Sequence, residues 1–217
     1  MARDQVLIYP NRKAAGQGLS TLLGDYAGRA DTVVLALPRG GVPVAAEVAQ
    51  ALSAPLDVLN VRKLGMPWQP EFAAGAVAPG DVLVLNPAAR AETASLETLL
   101  QPVIESERRE LARRERVYRR GRPPLELRGK CAILVDDGIA TGATMEAAAM
   151  AARAMGAAEV VIAVPVAPPE TVRRLAARAN RVVCPQQPAG FMAVGQFYAE
   201  FPQLSDAEVL DQLEANR

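Results

Sequence analysis

The chain contains no histidine, which removes imidazole acid–base catalysis and histidine-ligated metal centres. Any general base is then a carboxylate, a phosphate of the substrate or water. Cysteine is nearly as scarce. Cys131 and Cys184 form neither a CxxC pair nor a zinc spacing, so both are expected to be buried thiols in a reducing compartment. Net charge is absent too: 24 basic residues face 24 acidic ones, which leaves no overall field to draw nucleic acid. No apolar run has the length of a membrane helix, and the opening residues MARDQVLIYPNRK lack a signal-peptide core. A cytoplasmic protein with no membrane or nucleic-acid partner is expected.

What is present concentrates in residues 131–145, CAILVDDGIATGATM. A buried apolar run, two adjacent carboxylates, a small-residue loop and an alanine-rich helix follow one another, as in a central parallel strand feeding a helix. Backbone amides from Gly138 to Thr144, with the Thr141 and Thr144 hydroxyls, suit a phosphate at the positive end of that helix. The loop has no lysine and no GxGxxG, so it is not a nucleotide P-loop or a dinucleotide fingerprint. Asp136 and Asp137 are acceptor-only groups that suit sugar hydroxyls, a hydrated divalent cation or both. Phosphate and polyol on one unit point to a sugar phosphate; the plainer alternative is an ordinary strand-to-helix turn.

The run AILVDDGIATGAT resembles the phosphoribosyl pyrophosphate (PRPP) signature of the type I phosphoribosyltransferases. The resemblance implies that Asp136 and Asp137 hold the ribose hydroxyls. It also implies that Gly138, Ala140, Thr141, Gly142, Ala143 and Thr144 wrap the 5'-phosphate. Two further segments stand in the family's order. PRGG at 38–41 follows the strand pattern TVVLAL; it resembles the family's pyrophosphate loop, often built with a strained cis peptide, and places Arg39, Gly40 and Gly41 on the pyrophosphate. Arg62 and Lys63 end the next strand pattern, where the family's mobile loop leads with a lysine that contacts pyrophosphate. Read without the resemblance, the first is a simple turn and the second a hairpin with Trp68 on the surface.

The resemblance implies transfer of a 5-phosphoribosyl group from PRPP to a nitrogen acceptor, with a nucleobase as the expected one, and Mg²⁺ bound directly or through water at Asp136 and Asp137. Asp136, Asp137, Lys63 and Arg39 are the implied catalytic set. One position departs: family members acting on 6-oxopurines carry a third aspartate in the loop, and Ala140 stands there, which disfavours hypoxanthine and guanine. The alternative function is a PRPP-binding regulator acting on RNA or a protein partner.

The remaining chain reads as alternating strands and helices, an α/β doubly wound, mostly parallel sheet flanked by helices. One domain is expected over 1–217, with a helical insertion at about 91–122 and a C-terminal hood at about 185–217, in a homo-oligomer, as a homodimer. The insertion carries an apolar stripe through Leu96, Leu100, Ile104 and Leu111, and Pro102 predicts a kink or a break. Its many arginines, Arg108 to Arg122, alternate with glutamates at forward i,i+4 spacing, as on a solvated helix. Arg12 could reach a ligand, but an exposed arginine near a helix start is the expectation. Aromatics are few, and Phe191, Phe197, Tyr198 and Phe201 crowd into one tail segment. Phe191, Phe197 and Tyr198 are candidates for stacking on a planar acceptor, with core packing as the equal alternative.

Overall fold

The computed structural model describes residues 7–66, 68–92, 95–119 and 121–216. Val6, Pro67 and Arg120, which belong to the expected N-terminal strand, the loop after Lys63 and the arginine cluster, lie outside them.

Five short apolar runs form a parallel sheet: β1 (Thr32–Ala36), β2 (Leu56–Val58), β6 (Cys131–Val135), β7 (Glu159–Ala163) and β8 (Arg181–Val183), in the order β2-β1-β6-β7-β8. Every residue of β1 and β6 is buried, as strands covered on both faces require. Alternation sorts their side chains. Val34, Ala36, Ile133 and Val135 pack with α2 (Gly41–Leu52) and α7 (Asp206–Ala215). Val33, Leu35, Ala132 and Leu134 pack with α5 (Ala143–Ala154) on the other face. The doubly wound reading therefore stands.

A second sheet is antiparallel: β3 (Arg62–Met66), β4 (Gln69–Ala78) and β5 (Val82–Leu85). Ala76, Ala78, Val82 and Val84 join the same core as α5, so α5 is enclosed between the two sheets. Its buried positions are mostly alanine, a side chain short enough for backbones to approach from both sides. The pairing of residues 72–78 with 82–85 follows the sequence reading. Arg62 and Lys63 do not: they stand inside β3, paired with Val77 and Ala76, rather than at the head of a loop. The basic pair and a glycine hid a strand that β4 recruits from outside.

Two further elements precede the signature: α3 (Pro87–Glu92) and α4 (Leu96–Tyr118). The latter runs unbroken through Pro102. Proline removes one i→i−4 bond, and the apolar face Leu96, Leu100, Ile104 and Leu111, buried with Leu64 and Met66 of the small sheet, holds the helix regardless. The expected break into two helices is thus corrected to one helix. Of its expected ion pairs, Glu110 with Arg114 and Glu115 with Arg119 form at 2.9 and 3.6 Å. Among the described residues, no helix is long and apolar enough to cross a membrane. Both cysteines are free thiols, Cys131 buried and Cys184 half-buried, and burial pushes each up to about 12.

Candidate active site

The site begins with register. β1 and β6 are neighbours paired through Ala36 and Val135, and the Leu37 amide extends the ladder to the Val135 carbonyl at 2.9 Å. The loops that follow leave the sheet's carboxyl edge side by side, where α/β sheets bind ligands. The Pro38–Arg39 peptide bond is cis. Gly40 and Gly41 are demanded by proximity: a Cβ on Gly40 would lie 2.1 Å from Asp137 Oδ2, and one on Gly41 would lie 2.5 Å from the Val135 carbonyl. Glycine lets one loop rest on the carboxylates of the other.

The two acids are not equivalent. Asp136 Oδ1 accepts the Asp137 amide at 2.9 Å. Asp137 Oδ2 accepts Arg12 Nε at 2.8 Å, and Arg12 spends Nη1 on the Pro202 carbonyl at 2.8 Å while lying over the Phe201 ring. This overturns the expectation of an exposed Arg12, which is 8 % exposed. Its helix, α1 (Arg12–Ser20), is capped by the Asn11 side chain and pressed against α2 through Gly16, where a Cβ would meet the Val44 carbonyl at 2.7 Å. That packing aims the first helical residue at Asp137. Burial raises the Asp136 carboxyl well above the usual carboxylate range, and the neighbouring Asp137 charge adds to it. Burial also raises Asp137, but Arg12 opposes the rise, so the larger shift falls on Asp136.

The loop from Gly138 to Gly142 is fixed from outside. Ile139 donates to the Val166 carbonyl at 3.0 Å, the Thr171 hydroxyl donates to the Ala140 carbonyl at 2.9 Å, and Arg174 donates to the Thr141 carbonyl. Gly142, with φ +74°, is the N-cap of α5, and a Cβ there would meet Thr171 Cγ2 at 2.8 Å. Gly138, Ala140, Thr141, Ala143, Thr144 and Asp136 border a hollow of about 140 Å³ at the start of that helix.

Asp136 stands where three hollows meet. In the largest of these, about 590 Å³, it faces Arg62, Lys63 and Thr144. The third, about 460 Å³, holds Arg12, Arg39, Gly40 and Asp137. Arg62 bonds Glu107 of α4 at 2.5 Å, and Arg39 lies 3.8 Å from Asp206 of α7. Another cavity, of about 600 Å³, lies beyond the loop and contains Phe191, Phe72, Asn86, Thr141 and Glu146.

A family profile described as a phosphoribosyl transferase domain matches residues 2–199. The chain belongs to the phosphoribosyltransferase family. Two proteins of Mycobacterium tuberculosis, from strains CDC 1551 and H37Rv, whose names assign them provisionally as phosphoribosyl transferases, are each 50% identical to it over 203 residues. The alignments cover 94% of this chain and 46% of those proteins, so the chain spans about half the length of the curated relatives it matches. The crystal structure of TT1426 from Thermus thermophilus superposes with a TM-score of 0.89 at 44% identity, covering 97% of this chain and 99% of that one.

Within this phosphoribosyltransferase fold, the aromatic tail needs correction. Phe197 is 1 % and Tyr198 6 % exposed; they pack with Tyr9 and Phe201, and the Tyr198 hydroxyl donates to the Asp137 carbonyl at 2.5 Å. Tyr198 thereby holds the acid loop, while Phe191 packs its ring on Phe197 at 5.1 Å between centroids and also borders a cavity. Arg12 escaped the sequence reading because its partner is 125 positions away. Glu146 also escaped it. The signal was there, one glutamate in the alanine run of α5, and it is buried against Arg178 at 2.9 Å. As for a metal, no three ligating groups converge among the described residues. Two adjacent acids, both raised by burial in a way that a bound cation would oppose, fit a Mg²⁺ ion that keeps waters and takes its other oxygens from substrate.

Proposed function

We propose that the chain is an enzyme that transfers a 5-phosphoribosyl group from PRPP to a nitrogen acceptor, releasing pyrophosphate, and that residues 1–217 act as one catalytic unit. The observation that carries this reading is the contact between the two loops: Gly40 lies against Asp137, which puts an arginine–glycine loop, two acids and a helix-start hollow around one space.

In this reading Gly138, Ala140, Thr141, Gly142, Ala143 and Thr144 hold the 5'-phosphate at the positive end of α5. Asp136 and Asp137 hold the ribose hydroxyls, and Arg12 keeps Asp137 oriented. Arg39, Gly40, Gly41, Arg62 and Lys63 face the pyrophosphate. As the C1–O bond to pyrophosphate breaks, positive charge grows on the ribose ring and negative charge on the leaving group. Arg39 and Lys63 stabilise the latter, and the fixed loops hold the former in line with the acceptor. Mg²⁺ bound at Asp136 and Asp137 would supply further charge to the pyrophosphate oxygens. The acceptor sits beside Phe191, in the cavity that also contains Ala140 and Thr141. With Ala140 in place of a loop carboxylate, a 6-oxopurine finds no base there, so the acceptor lies outside hypoxanthine and guanine.

The regulator reading has less support, because acids interrupt the basic cluster: Glu110 takes both Arg113 and Arg114 of α4, and Asp57 takes Arg119 just beyond it. Calorimetric titration of Mg·PRPP, followed by pyrophosphate release against adenine, 6-oxopurines and pyrimidines, is the test. Binding with turnover on one base is expected; absence of PRPP binding would overturn the reading.

A further inference from the structure

The small sheet and α4 bring to this space something the two loops do not. Val103, Glu107 and Arg114 follow one another at spacings of four and seven, which puts them on one face of α4. That face is aimed by its neighbours, since Leu111 and Tyr118, three before and four after Arg114, are both buried. All three residues line the 590 Å³ hollow together with Lys63 and Asp136. Arg114 also borders a separate hollow of about 350 Å³, whose other walls are Pro38, Arg39, Arg113, Tyr118 and Asp206. Pro38 is common to both hollows. The side chain of Arg114 is therefore the partition between the space at the acids and a pocket of three guanidiniums.

The carboxylates nearby hold these cations without filling the pocket. Glu110 takes Nε of Arg114 at 2.9 Å and Nε and Nη2 of Arg113 at 2.8 and 2.9 Å; the two arginines hold its carboxyl at about 2. Asp206 accepts the Tyr118 hydroxyl at 2.5 Å and lies 3.8 Å from Arg39. Glu107 is engaged by Arg62. A guanidinium has five N–H groups, so an arginine held through Nε can also bind a phosphate oxygen through its terminal nitrogens. Arg39 sits in a loop and Arg114 on a braced helix, and both line the hollow beside Pro38, so that two separate elements offer cations to a ligand with two phosphoryl groups.

We propose that α4 supplies Arg114, with Arg113 beside it, as leaving-group ligands, so that pyrophosphate is received between this helix and Arg39. The inference rests on the PRPP reading of the site and adds to it a specificity-determining residue from the insertion. It assigns to a rigid helix a charge that Lys63 alone, fixed in β3, delivers from one side.

The test compares Arg114→Gln with Arg116→Gln, an exposed arginine of the same helix that borders neither hollow. Calorimetry with pyrophosphate, Mg·PRPP and ribose 5-phosphate is run on each variant of the whole chain. The expected result is a loss of roughly ten-fold or more in pyrophosphate and PRPP affinity for Arg114→Gln, as removal of a charge-assisted bond implies. Ribose 5-phosphate affinity is unchanged in that variant, and Arg116→Gln matches the parent throughout. Unchanged pyrophosphate binding in Arg114→Gln overturns the inference, as do equal losses in both variants, which mark a diffuse field rather than a site. The two readings fail separately. A parent protein that binds pyrophosphate through Arg114 but not PRPP or ribose 5-phosphate overturns the transferase reading and leaves the anion pocket. Thermal melts of both variants check folding, since the Arg114–Glu110 pair is half-buried and its loss is to be separated from loss of the ligand contact.

Discussion

At the carboxyl edge of the five-stranded sheet, two carboxylates and a small-residue loop border the hollows; the missing Cβ atoms of Gly40 and Gly41 make room for the opposite strand end and loop, and that of Gly142 makes room for Thr171. The three-stranded sheet reaches the same cavity with long cationic side chains, Arg62 and Lys63 from β3 and Arg114 from the helix packed on it. One side is shaped by what has been left out and tolerates almost no displacement. The other is shaped by charges on flexible stems and can adapt to its ligand. In the proposed reading, geometry for a sugar phosphate comes from the first, and charge for a leaving group from the second.

The division can be broken by mutation. The largest effect is expected for Arg12→Ala, which leaves Asp137 buried without its cation; loss of one partner of a buried pair costs about 3–5 kcal/mol. Urea melts should register that loss and calorimetry a parallel loss of ribose 5-phosphate binding. Stability equal to the parent's would show that Arg12 is not the support of the acid pair. Next comes Leu100→Ala, in the core between α4 and the small sheet, at about 2–5 kcal/mol. Here the folded protein should keep ribose 5-phosphate affinity and lose pyrophosphate affinity; loss of both would mean that the two sheets do not divide the labour.

Gly40→Ala should lower the melt, because a Cβ 2.1 Å from Asp137 Oδ2 forces the clamped carboxylate to shift, and should weaken PRPP by roughly a hundred-fold, the usual consequence of an ångström of misplacement at a reacting site. A variant that binds PRPP normally would sink the contact argument. The smallest effect concerns pH. Burial raises the Asp136 carboxyl in the folded state, so the native protein holds a proton that the unfolded chain releases. Stability of the ligand-free protein therefore falls as pH rises from about the ordinary value of 3.8 towards the raised one. Asp136→Asn should flatten that fall; melting temperatures from pH 4 to pH 8 with an unchanged slope would count against the shift.

Legibility followed the same division. The loops after β1 and β6 could be read because apolar runs, glycines and adjacent acids are local signals, and the contacts they make are local to one sheet edge. Lys63 was read as the end of one strand leading into a loop, whereas it stands inside a separate strand, β3, which exists only by virtue of β4. Pro102 argued for a break that the packing of Leu100 and Ile104 overrides. Phe197 and Tyr198 could not be sorted between core and ligand platform from spacing alone; the answer depends on Tyr9 and Asp137, both remote in sequence. Arg12 shows the limit most plainly, because nothing in the residues around it encodes a partner so far along the chain.

That same arginine joins three moments of synthesis. Residue 12 leaves the ribosome well before Asp137, and Asp137 well before the Pro202 carbonyl, yet Arg12 bonds to both of the later two. A nascent chain can complete the strands and both glycine loops while its carboxylate clamp is still open on one side. In the proposed reading, competence to grip a sugar therefore arrives after the sheet that carries it.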